Sequence, residues 1–401
     1  MKKSLLALFF SILVHIGTYA QDETNGSDLL LAPLPELYVS EDGTAVSSAS
    51  QWEELRREEI LELFRDHVYG RVPETAYSIS HRVRYLDREA LGGSAVQKEV
   101  ELLVSKGSDS LEISVLIYLP KESAGPVPVF LGLNFHGNHT ICTDPQITVK
   151  DNWVINSSAI GVTDNRADER FRGARAARWP VELILSRGYG LVSLCCADMD
   201  PDFDDGFKNG IHGLMEQGKT DRGENAWGTI SAWAWGLSRT MDYFEQDLEI
   251  DAHRVAVIGH SRLGKTSLWA GALDERFAMV VSNNSGCGGA ALSRRPFGES
   301  VKAINERFPH WFASRFGDYN DREADCPVDQ HMLLGLVAPR PLYVASASED
   351  LWADPFGEYL SLCYGSGVYG LYGEEVPVDL SPPEADLPRK AGKLGYHMRA
   401  G

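Results

Sequence analysis

Near the start of the chain, Ser50-Gln51-Trp52-Glu53 has the form of a capping box, and Trp52, Leu55, Ile60, Leu63, Phe64 and Val68 then recur at helical spacing until Gly70. The pattern predicts an amphipathic helix that lays its apolar stripe on the main body. Further on, Leu111, Ile113, Val115, Ile117 and Leu119 fall on alternate positions. A period of two predicts an antiparallel strand with one face buried and one face polar.

Later segments have a different rhythm. Val127–Phe135, Gly190–Ala197, Val255–Gly259, Met279–Asn283, Pro341–Ala347 and Val368–Tyr372 are short, unbroken apolar runs, and stretches that can form helices, such as Trp179–Ser186, Ala226–Phe244 and Thr266–Ala272, lie between them. Unbroken runs are what strands need when both faces are covered, so the alternation predicts a mostly parallel sheet with helices on both sides, an α/β fold. Without an internal repeat, a Pro/Ser linker or a low-complexity tract, residues 50–401 are expected to form a single domain behind a polar leader over 21–49.

Composition adds two constraints. The 401 residues are 43% hydrophobic and 10% aromatic, enough for one large core, and the formal charge of −19 argues against nucleic acid or an anionic membrane as partner. Residues 1–20 read as two lysines, a short apolar run and Thr18-Tyr19-Ala20, the form of a secretory signal peptide, so the mature protein is expected to be secreted or periplasmic with no membrane association after cleavage. Six cysteines in a chain this long, none in a CxxC pair, suggest neither a disulfide scaffold nor a zinc knuckle.

The sharpest chemical signal is Val255-Ala256-Val257-Ile258-Gly259-His260-Ser261-Arg262-Leu263-Gly264-Lys265-Thr266. A buried strand, one serine among small residues and a helix start together describe an elbow that exposes a nucleophilic hydroxyl above the sheet, over a helix N-terminus. The second glycine comes one residue later than in G-x-S-x-G. The same string formally matches G-x-x-x-x-G-K-[ST], a phosphate loop, although an exported chain has little access to ATP. Asn134-Phe135-His136-Gly137-Asn138-His139 follows another buried strand, where a hydrolase keeps its oxyanion loop; two histidines with no third ligand at sensible spacing make a poor metal site.

These residues, with Ser282-Asn283-Asn284-Ser285-Gly286-Cys287-Gly288-Gly289, Phe308-Pro309-His310-Trp311-Phe312, Pro327-Val328-Asp329-Gln330-His331 and Ala338-Pro339-Arg340-Pro341-Leu342-Tyr343, resemble the bacterial glucuronoyl esterases, carbohydrate esterase family fifteen, from about Trp52 to the last residue. The resemblance implies an α/β-hydrolase fold and a serine esterase that cleaves esters of glucuronic or 4-O-methylglucuronic acid on xylan, including links to lignin alcohols. It implies no cofactor and no metal. Ser261 matches the nucleophile, Arg262 the arginine that holds the oxyanion, and Lys265 the lysine that binds sugar hydroxyls; Glu299 and Trp352 fall where the family contacts the sugar ring. The family seats its acid either after the Met279–Ser282 run, where this chain has Asn284, or after the Pro341–Ala347 run, where it has Asp350. An amide cannot be an anionic partner, so Asp350 is expected, with Glu349 as a neighbour and Asp354 before Pro355 as a helix cap.

The tail Leu394-Gly395-Tyr396-His397-Met398-Arg399-Ala400-Gly401 resembles the family's G-Y-H-x-R-x-G-H run, whose second histidine is the base. That position falls one past Gly401. The resemblance thus implies that His397 is structural and that the chain as written is a C-terminally incomplete, nearly inactive fragment. Two rivals stay open: an acetyl xylan esterase or other carbohydrate esterase with the same nucleophile, and a glycan-binding relative without the chemistry.

Overall fold

The computed structural model describes residues 30, 32–217, 219 and 221–401. The expected signal peptide and most of the start of the polar leader lie outside the described residues. One ten-stranded sheet organises the fold, in the order β1-β2-β3-β5-β4-β6-β7-β8-β10-β9. The strands are β1 Ser78–Glu89, β2 Ala95–Lys106, β3 Asp109–Pro120, β4 Val127–Asn134, β5 Gly190–Cys195, β6 Ile250–His260, β7 Met279–Asn283, β8 Leu342–Ala347, β9 Arg389–Ala391 and β10 Leu394–Arg399. From β5 across to β10 neighbouring strands run parallel, while β1, β2 and β3 pair antiparallel and β9 closes the far edge antiparallel to β10. The helices used below are α1 Arg57–Phe64, α2 Val181–Ser186, α3 Thr229–Phe244, α4 Arg262–Leu273, α5 Pro355–Gly365 and α6 Gly367–Leu371. This is the expected α/β-hydrolase arrangement. Because the parallel strands point one way, the loops after His260, Asn283, Ala347 and Arg399 all reach the same edge of the sheet.

Three expectations need correcting. The first helix is capped two residues early: Ser48 Oγ accepts from Gln51 N at 3.3 Å, and Gln51 Oε1 accepts from Ser47 N at 2.9 Å. Wide π turns over Trp52–Arg56 and Arg65–Tyr69 flank α1. They lengthen the period, so Leu55 is left exposed and Arg56 turns inward, donating to Glu36 O at 2.7 Å.

Strand β3 is covered on both faces from Ile113 to Leu119. Ile113, Val115, Ile117 and Leu119 join the main core, and Leu116 and Tyr118 pack in a second cluster with Val181 and Leu185 of α2. The run Val368–Tyr372 is helical, as α6, because Ser366 stays in the right-handed region and carries the chain on from α5; a five-residue apolar run fits a buried helix as well as a strand. The strand position it was expected to fill is held by β10, in the segment the sequence presents as a tail.

Strand β2 carries only a broken apolar alternation, Val96, Val100, Leu102 and Val104, since Gln97, Lys98, Glu99 and Glu101 are buried within it. Their burial is possible because most are paired. Lys98 Nζ meets Asp247 at 2.7 Å and Glu249 at 2.6 Å, Glu101 takes Arg82 and Arg84, and Glu99 accepts from Thr148 N at 2.8 Å. Among the described residues no helix is long and apolar enough to cross a membrane.

Candidate active site

Ser261 sits between β6 and α4 with φ 58° and ψ −129°. A non-glycine residue held there stores strain on the order of 1–3 kcal/mol, which the surroundings must enforce. Two glycines make that possible. A Cβ on Gly259 would stand 1.8 Å from Leu263 O, and one on Gly264 would stand 3.0 Å from Ser285 Cβ. The late second glycine is therefore the one that lets α4 approach the loop after β7. Ser261 N donates to Asn283 O at 2.9 Å, so the elbow is pinned to the end of β7.

Arg262 opens α4, and its guanidinium forms a short hydrogen-bonded ion pair with Asp202. Asp202 Oδ1 also accepts from Trp311 Nε1 at 2.7 Å and His310 Nε2 at 3.1 Å. Burial works to raise the Asp202 carboxyl, but the His310 bond and the Arg262 charge outweigh it and hold the group below the usual carboxylate range. The Arg262 cation also lies 4.5 Å from the centre of the Trp311 ring and 5.0 Å from that of Phe308. A surface salt bridge it is not: the side chains are 16% and 2% exposed.

Lys265 is buried one turn further along α4. Nζ donates to Ser285 O at 2.5 Å and stands 3.9 Å from Glu299 Oε2. Burial pushes its pKa down, and the Glu299 charge opposes that shift. A phosphate-loop lysine would be free to meet phosphate oxygens; this one faces a carbonyl and a carboxylate. Glu299 N donates to Trp352 O at 2.9 Å, which ties the Glu299 loop to the turn after β8, and the Trp352 side of that turn is half exposed.

Asp350 lies in that same turn. Asn284 Nδ2 donates to Asp350 Oδ2 at 2.7 Å, so the two expected acid seats are in contact, one as amide and one as carboxylate. Asp354 caps α5, accepting from Gly357 N at 3.0 Å, and also accepts from Arg295 Nε at 2.8 Å. Glu349 is exposed. His397 points elsewhere: its Nδ1 is 3.0 Å from Tyr343 Oη. Among the described residues no histidine is hydrogen-bonded to Ser261 or Asp350.

These features can be set beside known proteins. The family model of glucuronyl esterases of fungi matches residues 222–373. The carbohydrate esterase MZ0003, from an unknown prokaryotic organism, is 48% identical over 96% of this chain and 89% of its own length. The chain belongs to the CE15 glucuronoyl esterases. A promiscuous CE15 esterase from a marine bacterial metagenome superposes with a TM-score of 0.86 at 48% identity, covering 92% of each chain. A glucuronoyl esterase from Solibacter usitatus gives 0.85 at 43% identity, over 92% of this chain and 93% of its own.

In this CE15 chain the loop after β4 is built around Asn134. Its Oδ1 accepts from Gly137 N at 2.7 Å and His136 N at 3.2 Å, and its Nδ2 donates to Asn138 Oδ1 at 2.7 Å and Ser193 Oγ at 2.9 Å. Burial lowers His136 to about 4, so its ring is neutral. His139 Nε2 is 3.1 Å from Asp168 O. Among the described residues no group of three or more His, Cys, Asp or Glu side chains is placed to hold a metal ion.

Asp202, Arg399 and Glu358 also belong to the site, and the sequence assigns none of them a role. Asp202 carries no local motif, and only its partners Trp311 and His310 stand in one. Glu358 Oε1 accepts from Ser285 N at 2.7 Å and Gly286 N at 2.9 Å, and Oε2 accepts from Ser346 Oγ at 2.5 Å. It thereby clamps the loop after β7 to β8, under Asn284 and Asp350, from a helix whose sequence looks merely apolar.

Proposed function

We propose that this CE15 chain hydrolyses esters of glucuronic and 4-O-methylglucuronic acid, of the kind that link xylan to lignin alcohols, through a covalent acyl-enzyme on Ser261. The observation that carries the reading is the strained Ser261 elbow with a caged cation beside it. A relative from Schizophyllum commune, 27% identical over 85% of this chain, is a 4-O-methyl-glucuronoyl methylesterase, which supports the same substrate class.

Ser261 Oγ attacks the uronate carbonyl carbon, its proton passes to an imidazole, and the carbonyl oxygen becomes an oxyanion. Arg262, held in place by Asp202, supplies fixed positive charge where that oxyanion develops, so no reorganisation is needed at the moment of reaction. The imidazole then protonates the departing alcohol. Water attacks the acyl-enzyme by the same route and releases the uronic acid. Lys265 and Glu299 face each other as donor and acceptor for ring hydroxyls, and Trp352 offers an apolar wall.

Asp350 is the partner that orients the imidazole. Glu349 N donates to Gly401 O at 3.3 Å and Gly401 N to Ser348 Oγ at 3.2 Å, which ties the stretch after β10 to the turn that carries Asp350. Turnover of benzyl glucuronate is the test, in the unmodified protein and in Asp350→Ala. The substitution is expected to lower kcat by about 100-fold or more; equal rates would sink the assignment of Asp350.

The promiscuity of the metagenomic relative favours a second reading, in which the acyl range extends to acetyl groups. Activity confined to acetylated xylan would replace the first reading with this one. Residues 1–20 support export, to be checked by finding Gln21 at the mature N-terminus.

A further inference from the structure

Asn283 and Asn284 are consecutive amides at the end of β7, and both face Arg399 at the end of β10. Arg399 Nη1 lies 3.3 Å from Asn283 Oδ1, 3.2 Å from Asn284 Oδ1 and 3.3 Å from the main-chain oxygen of Ser346. A guanidinium has donors and no acceptor, so the sides of both amides turned toward it must be their oxygens. Both NH2 groups therefore point away from Arg399. Asn284 Nδ2 donates to Asp350 Oδ2 at 2.7 Å, and Asn283 Nδ2 lies 2.9 Å from His260 Nδ1. A ring nitrogen that accepts a hydrogen bond carries no proton, so neutral His260 holds its proton on Nε2. His260 immediately precedes Ser261.

We propose that Arg399 is a positioning residue: through two adjacent amides it fixes the carboxylate of Asp350 on one side and the tautomer of His260 on the other. The Asp350 half rests on the reading of Asp350 as the triad acid; the His260 half does not. The arrangement also accounts for an amide at position 284. A glutamate there would set a second carboxylate against Asp350, whereas the amide gives Arg399 an oxygen and Asp350 a donor.

The electrostatics around His260 agree. Burial lowers its pKa, and the guanidiniums of Arg399 on β10 and Arg178 on the turn before α2 lower it further, against Asp350 in the loop after β8 and a hydrogen bond to the main chain of Asn283. A role for Arg399 confined to packing would change stability and leave the proton on His260 where it is.

Long-range proton–nitrogen NMR of the labelled protein tests this. In the unmodified chain His260 is expected to show one tautomer, protonated on Nε2, and to titrate below its ordinary value. Arg399→Met is expected to populate both tautomers and to raise the midpoint by about half a pH unit. Arg399→Lys, still a cation with donors only, should restore most of the original behaviour. Asn283→Ala should reproduce the His260 change alone.

The side-chain amide protons of Asn284 report on the other arm. They are expected to move toward free-amide positions in Arg399→Met and in Asp350→Asn, and to stay put in Asn283→Ala. An unchanged His260 tautomer and midpoint in Arg399→Met overturn the proposal; should that variant not fold, an unchanged His260 in Asn283→Ala does so. None of these signals depends on turnover, so a failed esterase reading, seen as absent hydrolysis of benzyl glucuronate, is told apart from a failed relay.

Discussion

At the scale of single residues, the site divides into groups that are neighbours in sequence and groups that are not. Ser261, Arg262 and Lys265 lie within one turn of α4, and the motif that holds them is legible because an elbow between strand and helix is a local structure. Asp202 reaches Arg262 across 60 residues of sequence, and Arg399 reaches Asn283 and Asn284 across 116 and 115. No spacing rule reaches that far, and although Arg399 stands in the tail motif, nothing local to it shows that its partners are the two amides after β7.

The amide at 284 leads to a prediction about paired substitutions. Asp350→Asn is expected to leave folding intact and to lower turnover by orders of magnitude, about 10⁴-fold if the loss resembles that of other triad acids. Asn284→Glu alone should be harmful, since it sets like charges in contact. In the Asp350→Asn background it should restore part of the rate, because the carboxylate then stands at the other seat. Steady-state kinetics of the three variants decide; near-normal turnover in Asp350→Asn would show that the acid lies elsewhere.

Gly259 carries the second residue-scale prediction. With Leu263 O only 1.8 Å from where its Cβ would be, Gly259→Ala must push α4 away from β6. The expected cost is about 3 kcal/mol or more in chemical denaturation, since backbone cannot move aside as a flexible side chain can. Wild-type stability in that variant would mean that the elbow is less tightly closed.

Among the elements, the parallel strands β4 to β8 and the antiparallel β3 were legible, whereas β1, β2, β9 and β10 were not. Continuous apolar runs survive as a signal because the polar side chains in the covered parts of β4 to β8 are few and mostly small, such as Ser193, Ser282 and Ser346. Strand β2 escapes notice because its buried charges are neutralised by Asp247, Glu249, Arg82 and Arg84 on other segments. The run at Val368–Tyr372 was misassigned for the converse reason: burial alone does not distinguish a short helix from a strand.

Helix α5 contributes a pH dependence that its sequence does not announce. Burial outweighs the hydrogen bonds donated to Glu358 and pushes its pKa from 4.5 up to about 7. Between those values the folded protein keeps a proton that the unfolded chain has lost. Stability contributed by this group is therefore complete below about 4.5, falls as pH rises, and levels off above about 7. The fall amounts to roughly 3 kcal/mol. Glu358→Gln keeps an oxygen for the Ser285 and Gly286 amides and places its NH2 toward Ser346, imitating the protonated acid. Melting temperatures across this range should show the decline flattened in Glu358→Gln. Parallel curves for the two proteins would exclude Glu358 as its source.

For the molecule as a whole, the formal charge of −19 surrounds a site whose cations are buried, Lys265, or half-buried, Arg262 and Arg399. A uronate ester is neutral at its reacting carbon and polar around its ring, and it meets local charge rather than a basic surface. No step of the proposed mechanism calls on a metal ion. Hydrolysis should accordingly survive EDTA, and a loss that zinc or calcium restores would count against the mechanism.

The central claim is that Ser261 takes up the uronoyl group. The protein is mixed with benzyl glucuronate, quenched in acid and mapped by peptide mass, with hydrolysis followed in parallel. The account predicts a glucuronoyl mass increase on the peptide carrying Ser261, absent from Ser261→Ala, whose hydrolysis drops to background. Hydrolysis that persists in Ser261→Ala, or an adduct mapped to a different residue, would contradict it.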